Sequence, residues 1–387
     1  MDQIFVTLKH WLVGLVPGQC QPVVSALLSV AAIIITFATL FAITTLLERK
    51  GLGRIQNRYG PNRVGPYGLF QPVADGLKAL TKEDIVPHTA DKTVHFLAPL
   101  VLVLPVFLAL AVVPVGQNMA ALDTDAGVLF FFAVGAATEL SVFMAGWSSR
   151  NKYSLLGAMR ALAQMISYEV PLILSAVTVI MAAGSLSTVS IGDAQAGYWG
   201  VVPRWYVLTP WGLAGFILFM IAAAAESNRS PFDLPEGESE IIAGYYTEYS
   251  GFKFALFFLG EYLGLFAVSG MGITLFLGGW HAPLAGLGWI PSWVWFFAKL
   301  LVLIGGFIWV RGTLPRLRMD QLMGFAWKLM LPLALANILA AGIWRFMPAG
   351  TGRWIVCSVL VAAPYLVLGR LLPGRKLLGK RVYRFAD

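Results

Sequence analysis

The feature that most constrains this chain is the recurrence of apolar runs close to the length that crosses a bilayer. A hydrocarbon core needs about 20 helical residues to span it. Read with their polar punctuation, the runs predict spanning helices over 23–47, 94–115, 126–147, 162–184, 208–226, 252–277, 291–312, 325–346 and 354–372. Composition agrees, with 58% hydrophobic and 12% charged residues and a mean hydropathy of +0.74; a soluble chain carries about 25% charged residues. The expected fold class is all-α, a polytopic membrane helix bundle of about nine spans forming a single integral domain over 1–387. The first residues, Met1-Asp2-Gln3, lack the positive region of a cleaved signal peptide and are expected to be retained.

Nine spans place the termini on opposite sides, so the loops alternate and Lys/Arg placement tests the arrangement. One side collects the loop 48–93, then Arg150, Lys152, Arg160, Arg229, Lys253, Arg311, Arg316, Arg318, Lys328 and the tail from Arg370 to Arg384. The other side holds Lys9, Arg204, Arg345 and Arg353, and Lys299 falls within a span. By the positive-inside rule 23 of the 28 basic residues are internal, the N-terminus is outside and the C-terminus inside. The net charge of +8 is thus explained by topology, and no nucleic-acid partner is implied.

In the loop 48–93, Leu69, Val73, Leu77 and Leu80 share one face of a helical period while Asp75 and Lys78 lie off it. That segment is too short and polar to cross and predicts an interfacial helix over 69–80. Gly60, Pro61, Gly65, Pro66 and Gly68 before it form a turn-rich stretch.

Several chemistries are excluded. Cys20 and Cys357 cannot supply four thiolates for an iron-sulfur cluster, and the four histidines show no metal spacing. Gly51-Leu-Gly53 lacks the third glycine of a dinucleotide turn and follows a spanning helix rather than a strand. No covalently held or metal cofactor is therefore expected on this chain.

The informative residues are ionisable groups within the spans: Glu139, Glu169, Glu226, Glu261 and Lys299. An acidic residue at the centre of a spanning helix costs about 2.5–3.5 kcal/mol on insertion scales. Each must therefore be protonated, paired or wetted, and burial together with neighbouring charge tunes proton affinity in the way a relay requires. Satisfied interhelical hydrogen bonds are the alternative. Between spans five and six, Glu226 to Glu240 form an acidic loop on the basic side, with Glu236, Glu238 and Glu240 at alternate positions. Such crowding leaves a cluster able to hold and pass a proton where water is scarce, and a solvated acidic loop otherwise.

The polar segments resemble the H subunit of the proton-pumping NADH-quinone oxidoreductase, respiratory complex I, which is the first NADH dehydrogenase subunit family. The resemblance runs from about Glu48 to Asn337. It rests on Glu48-Arg-Lys50, Gly60-Pro-Asn-Arg-Val-Gly-Pro-Tyr-Gly68, Gln71-Pro-Val-Ala-Asp-Gly-Leu-Lys78, Asn151-Lys-Tyr-Ser-Leu-Leu-Gly157, Ala163-Gln-Met-Ile-Ser-Tyr-Glu169, the loop Glu226 to Glu240, Pro315-Arg-Leu-Arg-Met-Asp-Gln-Leu-Met323 and Trp327-Lys328. It implies a membrane subunit at the junction with a hydrophilic arm, forming much of a quinone-access tunnel and the start of a proton path. Glu226, Glu236, Glu238 and Glu240 match the family's acidic loop, and Glu139, Glu169 and Glu261 its buried carboxylates. Arg49, Arg58, Asp75, Arg229, Phe232 and Asp233 match positions around the tunnel and arm junction. Lys299, Arg311 and Arg316 match basic positions that are candidate charge partners.

Quinone is then the substrate. FMN and iron-sulfur clusters belong to partner subunits, and the partners are the arm's quinone-site and iron-sulfur subunits, small neighbouring membrane subunits and phospholipid. The chain departs from the family's common eight spans by the ninth, 354–372, and its basic tail. The basic tail and ninth span favour a bacterial inner membrane over the mitochondrial one. Three rivals stand beside this reading: the equivalent subunit of an energy-converting hydrogenase, an independent proton-coupled transporter, for which the paired broken helices of two symmetric halves are missing, and a purely structural anchor.

Overall fold

The computed structural model describes residues 3–233 and 243–371. It is an all-α membrane bundle. Seven helices are long and apolar enough to cross a membrane: α2 (Gln21–Ile55), α4 (Lys92–Val112), α5 (Gly127–Ser148), α6 (Lys152–Ala183), α9 (Gly251–Phe276), α10 (Ser292–Thr313) and α11 (Met319–Phe346). Two further apolar helices, α8 (Pro210–Glu226) and α12 (Thr351–Leu371), occupy the fifth and ninth predicted spans. The 17 residues of α8 extend about 25 Å at 1.5 Å per residue. The remaining helices are α1 (Ile4–Gly14), α3 (Gln71–Thr81) and α7 (Thr188–Asp193), and the strands β1 (Tyr198–Trp199) and β2 (Val202–Pro203) pair as a small antiparallel hairpin.

The two largest departures from the expected span boundaries share one physical reason. Helix α2 continues eight residues past the predicted end at 47, and α6 begins ten residues before the predicted start at 162. In both places a charged stretch that hydropathy reads as loop stays helical because its polar groups find partners. Glu48 is buried against two arginines, while the Asn151 side chain caps α6 by accepting from the Tyr153 N–H at 2.9 Å. Helix α1 was not expected; its 11 residues leave Phe5 edge-on to Trp293 and Lys9 bonded to the Ser29 hydroxyl at 2.7 Å.

The segment expected over 69–80 is helical as α3 from Gln71 to Thr81, and Leu69 just before it and Val73, Leu77 and Leu80 within it are each 57–62% exposed. The turn before it requires Gly68: its φ is +77°, and a Cβ there would collide with the Pro61 carbonyl. At the centre, α6 packs against α5, α8 and α11, and α9 packs against α4, α8 and α10. Their shared core contains Tyr168, Leu172, Phe219, Leu263 and Phe266, all at or below 2% exposure. The loop 56–91, the α5–α6 corner and the turn after α8 gather at one end, here called the basic end.

Candidate functional site

Two polar clusters lie within the bundle near its basic end. The first is built on Glu48, whose side chain is 7% exposed on the last turns of α2. Arg229, just past α8, points Nη1 at its carboxylate from 3.3 and 3.5 Å. Arg311 on α10 donates to Oε1, and the Tyr262 hydroxyl on α9 donates to Oε2. The Arg229 guanidinium also sits 3.9 Å above the Tyr262 ring, a cation–π contact that strengthens where water is excluded. Four segments thus converge on one carboxylate. Hydropathy and charge placement single out Arg229 and Arg311 but leave Glu48 inside a motif. Its signal is its place one helical turn beyond the buried Thr44, on the same face.

The second cluster gathers the intramembrane carboxylates. Glu169 of α6, Glu226 of α8 and Glu261 of α9 line one cavity of about 80 Å³ together with Tyr245. Glu139 of α5 lies close enough to Glu169 and Glu226 to interact electrostatically with both. Four helices therefore bring all four predicted glutamates together. Glu261 accepts from the Tyr246 hydroxyl, which accepts in turn from Tyr245 at 2.5 Å. Glu139 Oε1 and Glu226 Oε2 are buried with no hydrogen-bond partner among the described residues. A charged oxygen in that position is costly unless it is paired or wetted. Tyr245 and Tyr246 carry no signal in the sequence, since nothing in their spacing shows that a short 3₁₀ turn (Gly244–Tyr246) folds back onto α6.

One turn joins the clusters. Glu226 ends α8 and faces the cavity, and three residues later Arg229 reaches Glu48. Phe232 is 5% exposed and packs on Tyr168 and Phe325 with ring centroids 5.4 and 6.4 Å apart. Asp233 follows, half-buried. Glu236, Glu238 and Glu240 lie outside the described residues.

The other predicted residues separate. Arg49 pairs with Asp75 at 2.5 Å, with Lys78 at 3.6 Å and the Gln71 amide at 3.2 Å from the same carboxylate. Partial burial pushes the Asp75 carboxyl up, and the hydrogen bond and charge of Arg49 outweigh it, holding the group below its ordinary value. Arg58 donates through Nε to Gln56 at 2.7 Å and lines an open groove with Arg49 and Gln71. Arg316 lies in the α10–α11 connection, where the Leu317 N–H bonds the Pro231 carbonyl at 3.1 Å.

Lys299 does not join the carboxylates. Its ammonium donates to the carbonyls of Leu277, Gly279 and His281 at 2.7–2.8 Å and lies 4.1 Å over Trp205. It closes the C-terminal end of α9, far along the bundle from Glu261, where helix carbonyls lack partners and the dipole favours a cation. Among the described residues, no group of three or more His, Cys, Asp or Glu is placed to hold a metal ion.

The model of the NADH dehydrogenase family matches residues 28–342, from α2 through most of α11. The chain belongs to this family. Its relatives include the NADH-quinone oxidoreductase H subunit of Dehalococcoides mccartyi (strain CBDB1), 53% identical over 292 residues, which are 76% of this chain and 79% of that one. The corresponding subunit of Geobacillus kaustophilus (strain HTA426) is 48% identical over 319 residues, 81% and 92% of the two chains. That of Polaromonas naphthalenivorans (strain CJ2) is 42% identical over 357 residues, 90% and 98%. Both polar clusters fall inside the residues matched by the family, whereas α12 lies beyond them.

Proposed function

We propose that this chain is the membrane subunit of a proton-pumping NADH-quinone oxidoreductase that helps form the quinone-access tunnel at the junction with the hydrophilic arm. It couples quinone reduction to proton movement through buried glutamates. The observation carrying the reading is the single turn that sends Arg229 into one polar cluster and Glu226 into the other within three residues. In the proposed arrangement all nine helices cross, the basic end faces the cytoplasm of a bacterial inner membrane, and the N-terminus is outside.

Reduction of the quinone to quinol takes two electrons, which partner subunits carrying iron-sulfur clusters and FMN would supply, and two protons. This chain contributes an apolar slot for the isoprenoid tail and a polar end for the head group. The charge change at the head is felt first by the Glu48–Arg229–Arg311 cluster, where low dielectric lengthens the reach of a charge. Through the shared turn it alters the proton affinity of Glu226, and then of Glu169, Glu139 and Glu261 across the cavity. Glu236, Glu238 and Glu240 of the same loop are assigned to the proton relay by their match to the family's acidic loop. Asp75, Arg49, Arg58, Arg229, Phe232 and Asp233 hold the tunnel wall and the arm junction.

The test is purification through a C-terminal tag in mild detergent, with identification of co-purifying chains and an assay of inhibitor-sensitive NADH-quinone reductase. Vesicles carrying Glu226→Gln are then assayed for reductase rate and proton uptake. Flavin and iron-sulfur partners, together with loss of pumping in the variant, are expected. Hydrogenase partners, or full pumping by Glu226→Gln, would overturn the proposal.

A further inference from the structure

Gln164 of α6 is fully buried, and its amide faces the turn that joins the two clusters. Its Nε2 donates to the Ala225 carbonyl at 2.7 Å and to the Phe232 carbonyl at 2.7 Å, with the Asn228 Oδ1 at 3.3 Å. The first carbonyl immediately precedes Glu226 and the second closes the turn, so one NH₂ group staples both ends of residues 225–232. Two N–H bonds satisfy the amide's donors. Its Oε1 accepts from no described residue, so the donor face alone fixes it.

Neighbouring positions on α6 make related ties. The Tyr168 hydroxyl donates to the Leu322 carbonyl at 2.9 Å, and the Ser167 hydroxyl accepts from the Trp327 indole at 3.3 Å. The next residue is Glu169. These two ties bond α6 to α11, and Gln164 bonds the same helix to the turn that carries Glu226 and Arg229.

We propose that Gln164 is a positioning residue whose two carbonyl bonds hold Glu226 and Arg229 on opposite sides of one turn, and that this staple transmits the charge state of the quinone-side cluster to the carboxylates. The inference rests on the proposed function and adds to it a residue that touches neither quinone nor any relay carboxylate in a recorded contact. A rigid turn passes a displacement of Arg229 on to Glu226, whereas a loosened turn absorbs it.

The test uses the assembled complex in inverted membrane vesicles. Gln164→Leu keeps the volume and removes both donors. The expected result is a quinone reductase kcat lowered several-fold, a nearly unchanged quinone KM, at least a twofold fall in protons moved per two electrons, and an unchanged NADH–ferricyanide rate per complex. Gln164→Glu supplies the discriminating readout. Its neutral carboxyl can donate to one carbonyl, while its carboxylate donates to none and repels both. Coupling in this variant, taken relative to the parent, is expected to recover towards pH 5.5 and to fall to the leucine level by pH 8.5. The charged and titratable groups around the site are Tyr168 and Glu169 on α6 and Glu226, Arg229 and Asp233 on the turn, and all are common to parent and variant.

Unchanged coupling in Gln164→Leu overturns the proposal. If that variant does not assemble, a pH-independent ratio of Gln164→Glu to parent overturns it instead. Parent vesicles without NADH-quinone reductase would remove the proposed function itself, a failure distinct from either.

Discussion

Replacing Glu48 by Gln keeps the side chain's shape and removes the single negative charge between two guanidiniums. Arg229 is 9% exposed, and its Nε and Nη2 are buried without hydrogen-bond partners among the described residues, so Glu48 is its principal acceptor. Breaking a buried ion pair by deleting one partner costs about 3–5 kcal/mol, because the other charge stays buried and unbalanced. Arg311 is 29% exposed and can turn towards water, which concentrates the loss on Arg229. The Tyr262 ring offsets none of it, since that contact is present before and after the change. Arg229→Gln is expected to cost less, for Glu48 then keeps Arg311. The decisive expectation is one of sign: the double variant Glu48→Gln/Arg229→Gln should be more stable than Glu48→Gln alone. Dodecylsulfate unfolding in mixed micelles, followed by tryptophan fluorescence, measures all three free energies. Additivity within about 0.5 kcal/mol would refute the reasoning, since residues in one charge network couple.

Tyr246→Phe removes the nearer of the two tyrosine donors to Glu261, leaving Tyr245 at 3.3 Å, and should lower proton translocation more than quinone reduction in vesicles; equal effects would point to general disruption. Lys299→Met should lower the thermal midpoint by exposing three unpaired carbonyls at the end of α9, each lost partner costing about 1–3 kcal/mol. Protons moved per electron should be unchanged in the same variant, and a changed ratio would restore Lys299 as a charge partner of the carboxylates. Asp75→Asn should reduce stability by about 0.2–1 kcal/mol near neutral pH, because the Arg49 pair is largely exposed. With the folded pKa depressed below 3.8, that contribution is complete above 3.8 and disappears as pH falls through the folded value, so acid titrations of parent and variant should converge. Gly157→Ala would place a Cβ 2.7 Å from Gly244 Cα, and overpacking of about 1–3 kcal/mol should appear as reduced yield of assembled chain.

The helical class and the nine apolar segments were legible because hydropathy over 20 residues is a sum, insensitive to any one side chain. The carboxylates were legible for the opposite reason: an acid in an apolar run is locally improbable, and Glu139, Glu169, Glu226 and Glu261 do meet across four helices. What stayed hidden depends on distance in the chain. Glu48 looks like the polar end of a helix until Arg229, 181 residues away, and Arg311, 263 residues away, close around it. Lys299 looks like a counter-charge for the glutamates until α9 ends beside it and claims the ammonium with three carbonyls. In each case the one-dimensional pattern identifies a group that needs a partner, and packing alone chooses which.

That distinction bears on how the two clusters work together. In the proposed function the first cluster is balanced by arginines and the second by protons, its buried oxygens at Glu139 and Glu226 having no hydrogen-bond partner among the described residues. On the same proposal a charge arriving at the first cluster is compensated by moving Arg229, which shares its turn with Glu226. Electrostatics and backbone geometry therefore impose a common constraint, and the shortest segment satisfying both is the stapled stretch from Ala225 to Phe232.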